Sequence, residues 1–376
     1  MQVLHVHSGN LYGGVETLLV TLARERLVSG LRHRFALCWR GRLSDELLKA
    51  GAQVDFLGET SARRPAQVRT ARKRLREVLT VAGADVVVCH SVWAQALFGS
   101  VARRSEVKRA FWLHMGLNTT AVSELWSYWL ARVTRPDLAI CDSRFTMSTL
   151  SNLYPNVDAC VLYYPVSAGE HTASERGPLR QQFGAAPEDI VVIQTSRLEP
   201  WKGHQLHLRA LARLRDLPGW VSWIAGGPQR PKEEAYFREL QDLAHEMGIG
   251  DRVRFLGQRS DVPELLRAAD IHCQPNTGPE PFGIAFVEAL YAGLPVVTTA
   301  LGGAQEIVDE TCGILVKPGD EQELAQALRK LIGDRTLLAR LAAGGPARAR
   351  GLCGPAAQLE KLRAIFEGLR KARVAA

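Results

Sequence analysis

The stretch IHCQPNTGPEPFGIAFVEALYAGLPVVTTA, residues 271–300, reads as strand, loop, helix and strand in one pass. IHCQPN and PVVTTA are short apolar runs of strand length. FGIAFVEALYAG between them has a helical pattern. Pro275, Pro279 and Pro281 forbid helix before Phe282, so the helix starts near Gly283. Its first N–H groups, from Phe282 to Ala285, then lie just beyond a strand end. Such free donors suit an anion. Glu280 stands in the loop and Glu288 about one and a half turns into the helix. Carboxylates are rarely buried without a partner, and two so close suggest an acid–base pair. Their placement separates them instead. A carboxylate beside an anion is repelled unless it meets hydroxyl donors, so Glu280 fits a polyol. Glu288 can accept two hydrogen bonds at once from vicinal hydroxyls.

The same alternation extends in both directions. QVLHVHS, RFALCWR, QVDFLG, DVVVCHS, RAFWLHM, LAICDS and ACVLYYPV read as strands before Val166, with GVETLLVTLARERLVS an amphipathic helix after the first. IVVIQTS, WVSWIAGG, RVRFLGQ and GILVKP join the opening pair as strands of a second series. HQLHLRALARLRD, KEEAYFRELQDLAHEMG, VPELLRAA and EQELAQALRKLIG are the helical patterns between them. Alternation of this kind predicts α/β architecture, with parallel sheets covered on both faces. A polar, glycine- and proline-bearing segment, SAGEHTASERGPLRQQFGAAPED, separates the series and holds the linker in its first part. The expected domains are 1–168 and 169–352, with a last helix in 353–376.

With 376 residues, 46% hydrophobic and 23% charged, the chain is long enough for two ordinary globular cores. No apolar run reaches the roughly 18 residues of a membrane span. MQVLHVHSGN lacks the basic start and apolar core of a signal peptide. The seven cysteines are scattered, with no C-x-x-C pair, which argues for a reduced, cytoplasmic protein without structural zinc. The net charge of +8 is confined to one half. Residues 1–166 hold 21 Lys and Arg against 13 Asp and Glu, and the remainder holds 26 of each. RRPAQVRTARKRLREV and RRSEVKR carry much of the excess. A solvated helix face explains this charge, as does attraction to an anionic membrane or anionic acceptor. Nucleic acid is disfavoured, because no binding motif accompanies the charge. LWSYWLARVTR, residues 125–135, adds Trp126, Tyr128 and Trp129 near basic residues, either as core or as a membrane-facing surface.

In open parallel sheets ligands bind beyond the carboxyl ends of the strands. Four further motifs occupy such positions. HSGNLYGGVE places Gly13 and Gly14 before the first helix, without a G-x-G-x-x-G or Walker pattern. SRLEPWKGH supplies Arg197 and Lys202 with Gly203 beside them. A forked guanidinium and a point-charge ammonium suit a diphosphate. AGGPQ removes side chains at Gly226 and Gly227, either for a nucleotide or for a plain turn. FWLHMG ends a strand at His114, which alone reads as a structural histidine as readily as a functional one.

Taken together, SRLEPWKG, AGG, EPFGIAFVE, GLPVVTTALGGAQEIV and GILVKPGD resemble the family-four retaining glycosyltransferases of the GT-B fold. The resemblance spans the whole chain and is densest over 190–320. It implies two Rossmann-like doubly wound domains facing a deep cleft, with the C-terminal helix crossing back to the first. It implies that Arg197 and Lys202 bind the donor diphosphate, Glu288 the ribose, and Glu280 the sugar near its 3- and 4-hydroxyls. Phe282, Gly283 and Ile284 would offer backbone N–H groups. Gly14 would lie beneath the diphosphate, and His114 near the sugar's 6-hydroxyl. One departure is YYPV, where the family often has Asn-Gly.

The implied reaction moves a hexosyl unit from a UDP- or GDP-linked sugar to an acceptor hydroxyl in bacterial glycan, glycolipid or metabolite synthesis. It proceeds by front-face attack with retention, and domain closure excludes water. The chain has no D-x-D, in keeping with a metal-independent enzyme that needs no cofactor. A GT-B epimerase or phosphorylase, a non-catalytic sugar-nucleotide-binding subunit, and a nicotinamide enzyme are the competing readings. The absent G-x-G-x-x-G disfavours the last.

Overall fold

In a computed structural model, the structure describes residues 1–10, 12–105, 107–117, 125–168 and 176–371. Linker residues 169–175, Leu11 of the glycine loop and Glu106 of the basic segment lie outside the described residues. Two compact units form, Met1–Ser167 with Cys353–Ala376, and Ala168–Leu352.

The first unit is built on seven parallel strands: β1 (Gln2–His7), β2 (Arg32–Leu37), β3 (Gln53–Phe56), β4 (Val86–Cys89), β5 (Lys108–Leu113), β6 (Leu138–Cys141) and β7 (Ala159–Val161). Their order is β3-β2-β1-β4-β5-β6-β7. Strands β1 and β4 are buried at every position; β4 is apolar throughout, as a strand covered on both faces should be, whereas β1 also buries Gln2, His5 and His7. One face of the sheet packs Leu4, Val87 and Phe111 against helices Pro65–Ala82 and Val92–Arg103, through Leu75, Leu79 and Phe98. The helix Pro355–Lys371 belongs to this unit and packs on the short helix Arg26–Ser29. Just before it, the Val166 N–H donates to the Cys353 carbonyl at 2.9 Å. That bond falls in the YYPV segment, which leaves the sheet after Val161.

The second unit holds β8 (Ile190–Thr195), β9 (Trp220–Ala225), β10 (Val253–Gly257), β11 (Ile271–Gln274), β12 (Val296–Thr299) and β13 (Gly313–Val316), in the order β10-β9-β8-β11-β12-β13. All are parallel. Ile190, Ile224, Cys273 and Val297 form its core with Leu208, Leu240, Leu324 and Leu328 of the flanking helices. Each fully buried side chain of this size contributes about 1.5–3 kcal/mol. Both sheets are doubly wound. The strand order reverses between β1 and β4 in the first unit and between β8 and β11 in the second.

Candidate active site

The reversal between β8 and β11 is where a doubly wound sheet opens a crevice beyond its strand ends. Two loops leave the sheet there. After β8, Ser196–Glu199 leads into a 3₁₀ turn, Pro200–Lys202, and then the helix His204–Ala212. After β11, residues 275–283 lead into the helix Ile284–Tyr291.

The two loops are fastened together. Gly203 has φ +75°, and a Cβ there would land on the Pro275 carbonyl. The Thr277 N–H donates to the Trp201 carbonyl at 2.8 Å. On the far side, Gly302 has φ +61° and lies so close that a Cβ would strike the backbone of Glu280. The Gly303 N–H donates to the Glu280 carbonyl at 2.7 Å. The loop that carries Glu280 is therefore held on both flanks by glycines, of which the sequence reading singles out Gly203 as a site residue but not Gly302 or Gly303.

The Glu280 side chain is 10% exposed and faces Lys202. Lys202 Nζ lies 2.6 Å from Glu280 Oε2. The Asn276 amide donates to the same oxygen at 2.7 Å and the Gln274 amide at 3.3 Å. Three donors converge on Oε2, and none within the chain engages Oε1 among the described residues. The second oxygen is thus available to an external hydroxyl. Lys202 also rests over the Trp201 ring, 4.0 Å from its centroid, a cation–π contact that restrains the long side chain. The Gln194 amide donates to the Lys202 carbonyl at 3.0 Å and is itself held by His207. Gln194, Gln274 and Asn276 are buried. They form a polar layer that the strand patterns conceal, because in sequence they read as ordinary strand-end residues.

Arg197 stands outside this layer. Its side chain is 43% exposed and pairs with Glu199 at 3.0 Å. Glu199 also accepts from the Trp201 indole at 3.0 Å. The guanidinium is pre-aimed by a two-sided carboxylate yet keeps most of its donors for a ligand.

The helix begins at Ile284 with Gly283 as its cap. The N–H groups of Gly283 and Ile284 have no acceptor within the chain among the described residues. Phe282 is buried at this start. Glu288 is half-buried, and its carboxylate makes no hydrogen bond within the described residues. Burial pushes it up to about 7, because an ionised carboxylate without donors is poorly solvated. Hydroxyl donors from a ligand would relieve that cost.

Gly226 and Gly227 follow β9. A Cβ on Gly226 would strike the Ser196 carbonyl, and one on Gly227 would lie 2.6 Å from the Gln258 nitrogen. Close backbone packing within the unit alone requires glycine at both.

The remaining candidates lie in the first unit. The helix Gly14–Arg24 starts one residue past Gly13, whose extended φ of −168° suits any residue. There His7 Nε2 meets Glu16 Oε1 at 2.7 Å, and both side chains are buried. Neither stands out in the sequence, since the pairing needs the turn that folds Glu16 back over the end of β1. His114 is half-buried, with both ring nitrogens engaged. Nε2 meets His90 Nδ1 at 2.9 Å, and Nδ1 meets Tyr164 Oη at 2.5 Å.

Two doubly wound parallel-sheet units are the architecture of the GT-B fold, and the second unit gathers cations, free helix-start donors and carboxylate acceptors at its reversal point. Residues 175–348 match the family model described as Glycosyl transferases group 1. The D-inositol 3-phosphate glycosyltransferase of Stackebrandtia nassauensis is 36% identical over 181 residues, covering 46% of this chain and 40% of the relative. The chain spans about half or less of the length of the inositol phosphate enzymes it matches. The lipopolysaccharide core biosynthesis mannosyltransferase LpsB of Rhizobium meliloti is 27% identical, covering 65% of this chain and 68% of LpsB. The crystal structure of Anabaena HepE in complex with UDP and glucose superposes with a TM-score of 0.85 at 25% identity, over 98% of this chain and 99% of HepE.

Proposed function

We propose that this protein is a retaining, metal-independent glycosyltransferase that moves a hexosyl unit from a nucleoside-diphosphate sugar to an acceptor hydroxyl. The observation that carries this reading is the set of unfilled groups at the β8–β11 reversal. Arg197 and Lys202 supply positive charge, Gly283 and Ile284 free N–H groups, and Glu280 Oε1 and the Glu288 carboxylate free acceptors. A diphosphate between two hydroxyl-bearing rings satisfies all of them. The cations and helix start take the diphosphate, Glu280 the sugar, and Glu288 the ribose. The resemblance adds Gly14 beneath the diphosphate and His114 at the sugar's 6-hydroxyl. That HepE is seen with UDP and glucose favours a UDP-linked donor.

In the reaction, the bond from the sugar's anomeric carbon to the diphosphate oxygen breaks as the acceptor oxygen bonds from the same face. The acceptor proton passes to the leaving phosphate. No enzyme nucleophile is required. The protein's work is electrostatic, since positioned donors stabilise the charge growing on the leaving oxygen. Incubation with UDP-glucose and candidate acceptors tests this. Nucleoside diphosphate release is expected to rise with acceptor, and the product to keep the donor's anomeric configuration. An inverted product would sink the retaining mechanism.

The acceptor reading starts from the first unit's surface. Arg69, Lys73 and Arg76 are exposed on the helix Pro65–Ala82. Arg72 is held below its ordinary range by burial and by the neighbouring cations Arg104 and Arg76. On the same unit, the helix Leu125–Val133 exposes Leu125, Trp126, Trp129 and Val133, with Trp129 66% exposed. No helix among the described residues is long and apolar enough to cross a membrane. Indoles flanked by cations suit the interface of an anionic bilayer. The reading is peripheral attachment and a lipid-linked acceptor. Sedimentation with anionic vesicles is expected at low salt and lost at high salt, with Trp129→Ala weakening it. Failure to sediment at low salt removes the idea.

A further inference from the structure

The first unit holds a feature that the transfer reaction does not explain. Four histidines form one hydrogen-bonded line across adjacent strands. His33 Nδ1 meets His5 Nε2 at 2.9 Å, and His5 Nδ1 meets His90 Nε2 at 2.8 Å. His90 Nδ1 meets His114 Nε2 at 2.9 Å, and His114 Nδ1 meets Tyr164 Oη at 2.5 Å. His33 lies in β2 and His5 in β1, while His90 directly follows β4 and His114 directly follows β5. These strands are neighbours in the sheet in that order. The rings of His90 and His114 stack at 5.2 Å with planes 8° apart. Phe35 covers His5, and Trp112 covers His90.

A neutral imidazole has one N–H and one lone pair. A line of N···N contacts between neutral rings therefore admits two proton orders. Either every ring donates toward Tyr164, or every ring donates toward His33. The His33 end decides between them, because its Nε2 is buried with no partner. The first order leaves a lone pair there, whereas the second buries an N–H with no acceptor. Orphaned buried N–H groups are the rarer defect in folded proteins. The rings are neutral because burial lowers His5, His90 and His114 well below the ordinary histidine value and His33 to about 4.

We propose that His33, His5 and His90 are positioning residues that fix His114 as its Nδ1–H tautomer through one concerted hydrogen-bond line across four strands. The proposal rests on the reading of His114 as a donor-sugar contact only for its consequence in transfer. A sugar hydroxyl would meet His114 only at the Nδ1–H that Tyr164 Oη also accepts, because Nε2 is already taken by His90. His90, His5 and His33 lie progressively farther from that hydroxyl and would act only by holding this proton order.

Long-range ¹H–¹⁵N correlation spectra of the ¹⁵N-histidine-labelled full chain at neutral pH report the tautomer of each ring. All four rings are expected to show Nδ1–H. A mixed pattern, with any ring of the line as Nε2–H while its neighbours are Nδ1–H, would overturn the proposal on the native chain alone. His33→Asp sets an acceptor against His5 Nε2. The expected result is reversal of His5, His90 and His114 together to Nε2–H. Reversal of His5 with His114 unchanged would overturn concerted control. His33→Asn, whose amide can donate as the imidazole did, is expected to keep the native order. Turnover should fall in His33→Asp and return in His33→Asn. Reversed tautomers with undiminished turnover would leave the line standing and remove His114 from the sugar.

Discussion

Replacing Arg197 and Lys202 together by alanine is expected to lower transfer by about 10²-fold or more, the usual cost of removing a positioned transition-state donor. The two cations differ in how they are held. Lys202 is fixed by Glu280 at 2.6 Å and by the Trp201 ring, so it meets a ligand already ordered. Arg197 is exposed and, among the described residues, anchored through Glu199, so it is free to swing onto phosphate oxygens. Loss of Lys202 also leaves Glu280 with two neutral amide donors and no cation. Glu280 would then repel a diphosphate more strongly, so Lys202→Ala is expected to cost more than Arg197→Ala. Initial rates of nucleoside diphosphate release for the single and double variants check this ranking. Unchanged transfer in the double variant would remove both residues from the reaction.

Gly203→Ala is expected to be the most damaging small substitution at the site. The left-handed backbone alone costs a non-glycine residue about 1–2 kcal/mol. The added methyl would also strike the Pro275 carbonyl and force apart the two loops that carry Lys202 and Glu280. Gly219 provides the control, because it has φ +74° but nothing within 4 Å of where a methyl would stand. Gly219→Ala should lower the melting temperature by the backbone cost only, roughly 2–4 °C per kcal/mol for a unit of this size. Gly203→Ala should lower it further and weaken sugar-nucleotide binding as well. Equal melting shifts and intact binding would mean that the loops tolerate separation.

These expectations trace back to features of unequal visibility. The β8–Lys202 and β11–Ile284 units are legible because strand apolarity, proline punctuation and glycine all agree on one local reading. The strand ends are harder: ACVLYYPV is strand only over Ala159–Val161, with Leu162 still donating to the Cys141 carbonyl before Val166 bonds to Cys353. RTLLARLAAGGPARARGLC does not read as helix, because Gly344, Gly345 and Pro346 look like breakers, yet it forms the helix Arg335–Cys353. Packing overrides propensity there. Gly344 lies against the Thr311 carbonyl and Gly345 against Leu290, so the glycines admit a close helix contact. The ion pair between Lys202 and Glu280 is likewise beyond sequence reading, which gives the two residues separate ligand roles. They stand 78 positions apart, and only the strand order brings them together. The histidine line is hidden for the same reason, because its members come from four different strands or strand ends, far apart in the chain.

The central claim is that the crevice at the β8–β11 reversal binds a nucleoside-diphosphate sugar through Arg197 and Lys202. The melting temperature of the full chain with and without UDP-glucose, compared with the Arg197→Ala, Lys202→Ala double variant, tests it most directly. A ligand present at 100 times its Kd stabilises the folded state by about 2.7 kcal/mol. A rise is expected in the native chain and little or none in the variant. An equal rise in both, or no rise with any UDP- or GDP-linked sugar, would contradict the claim.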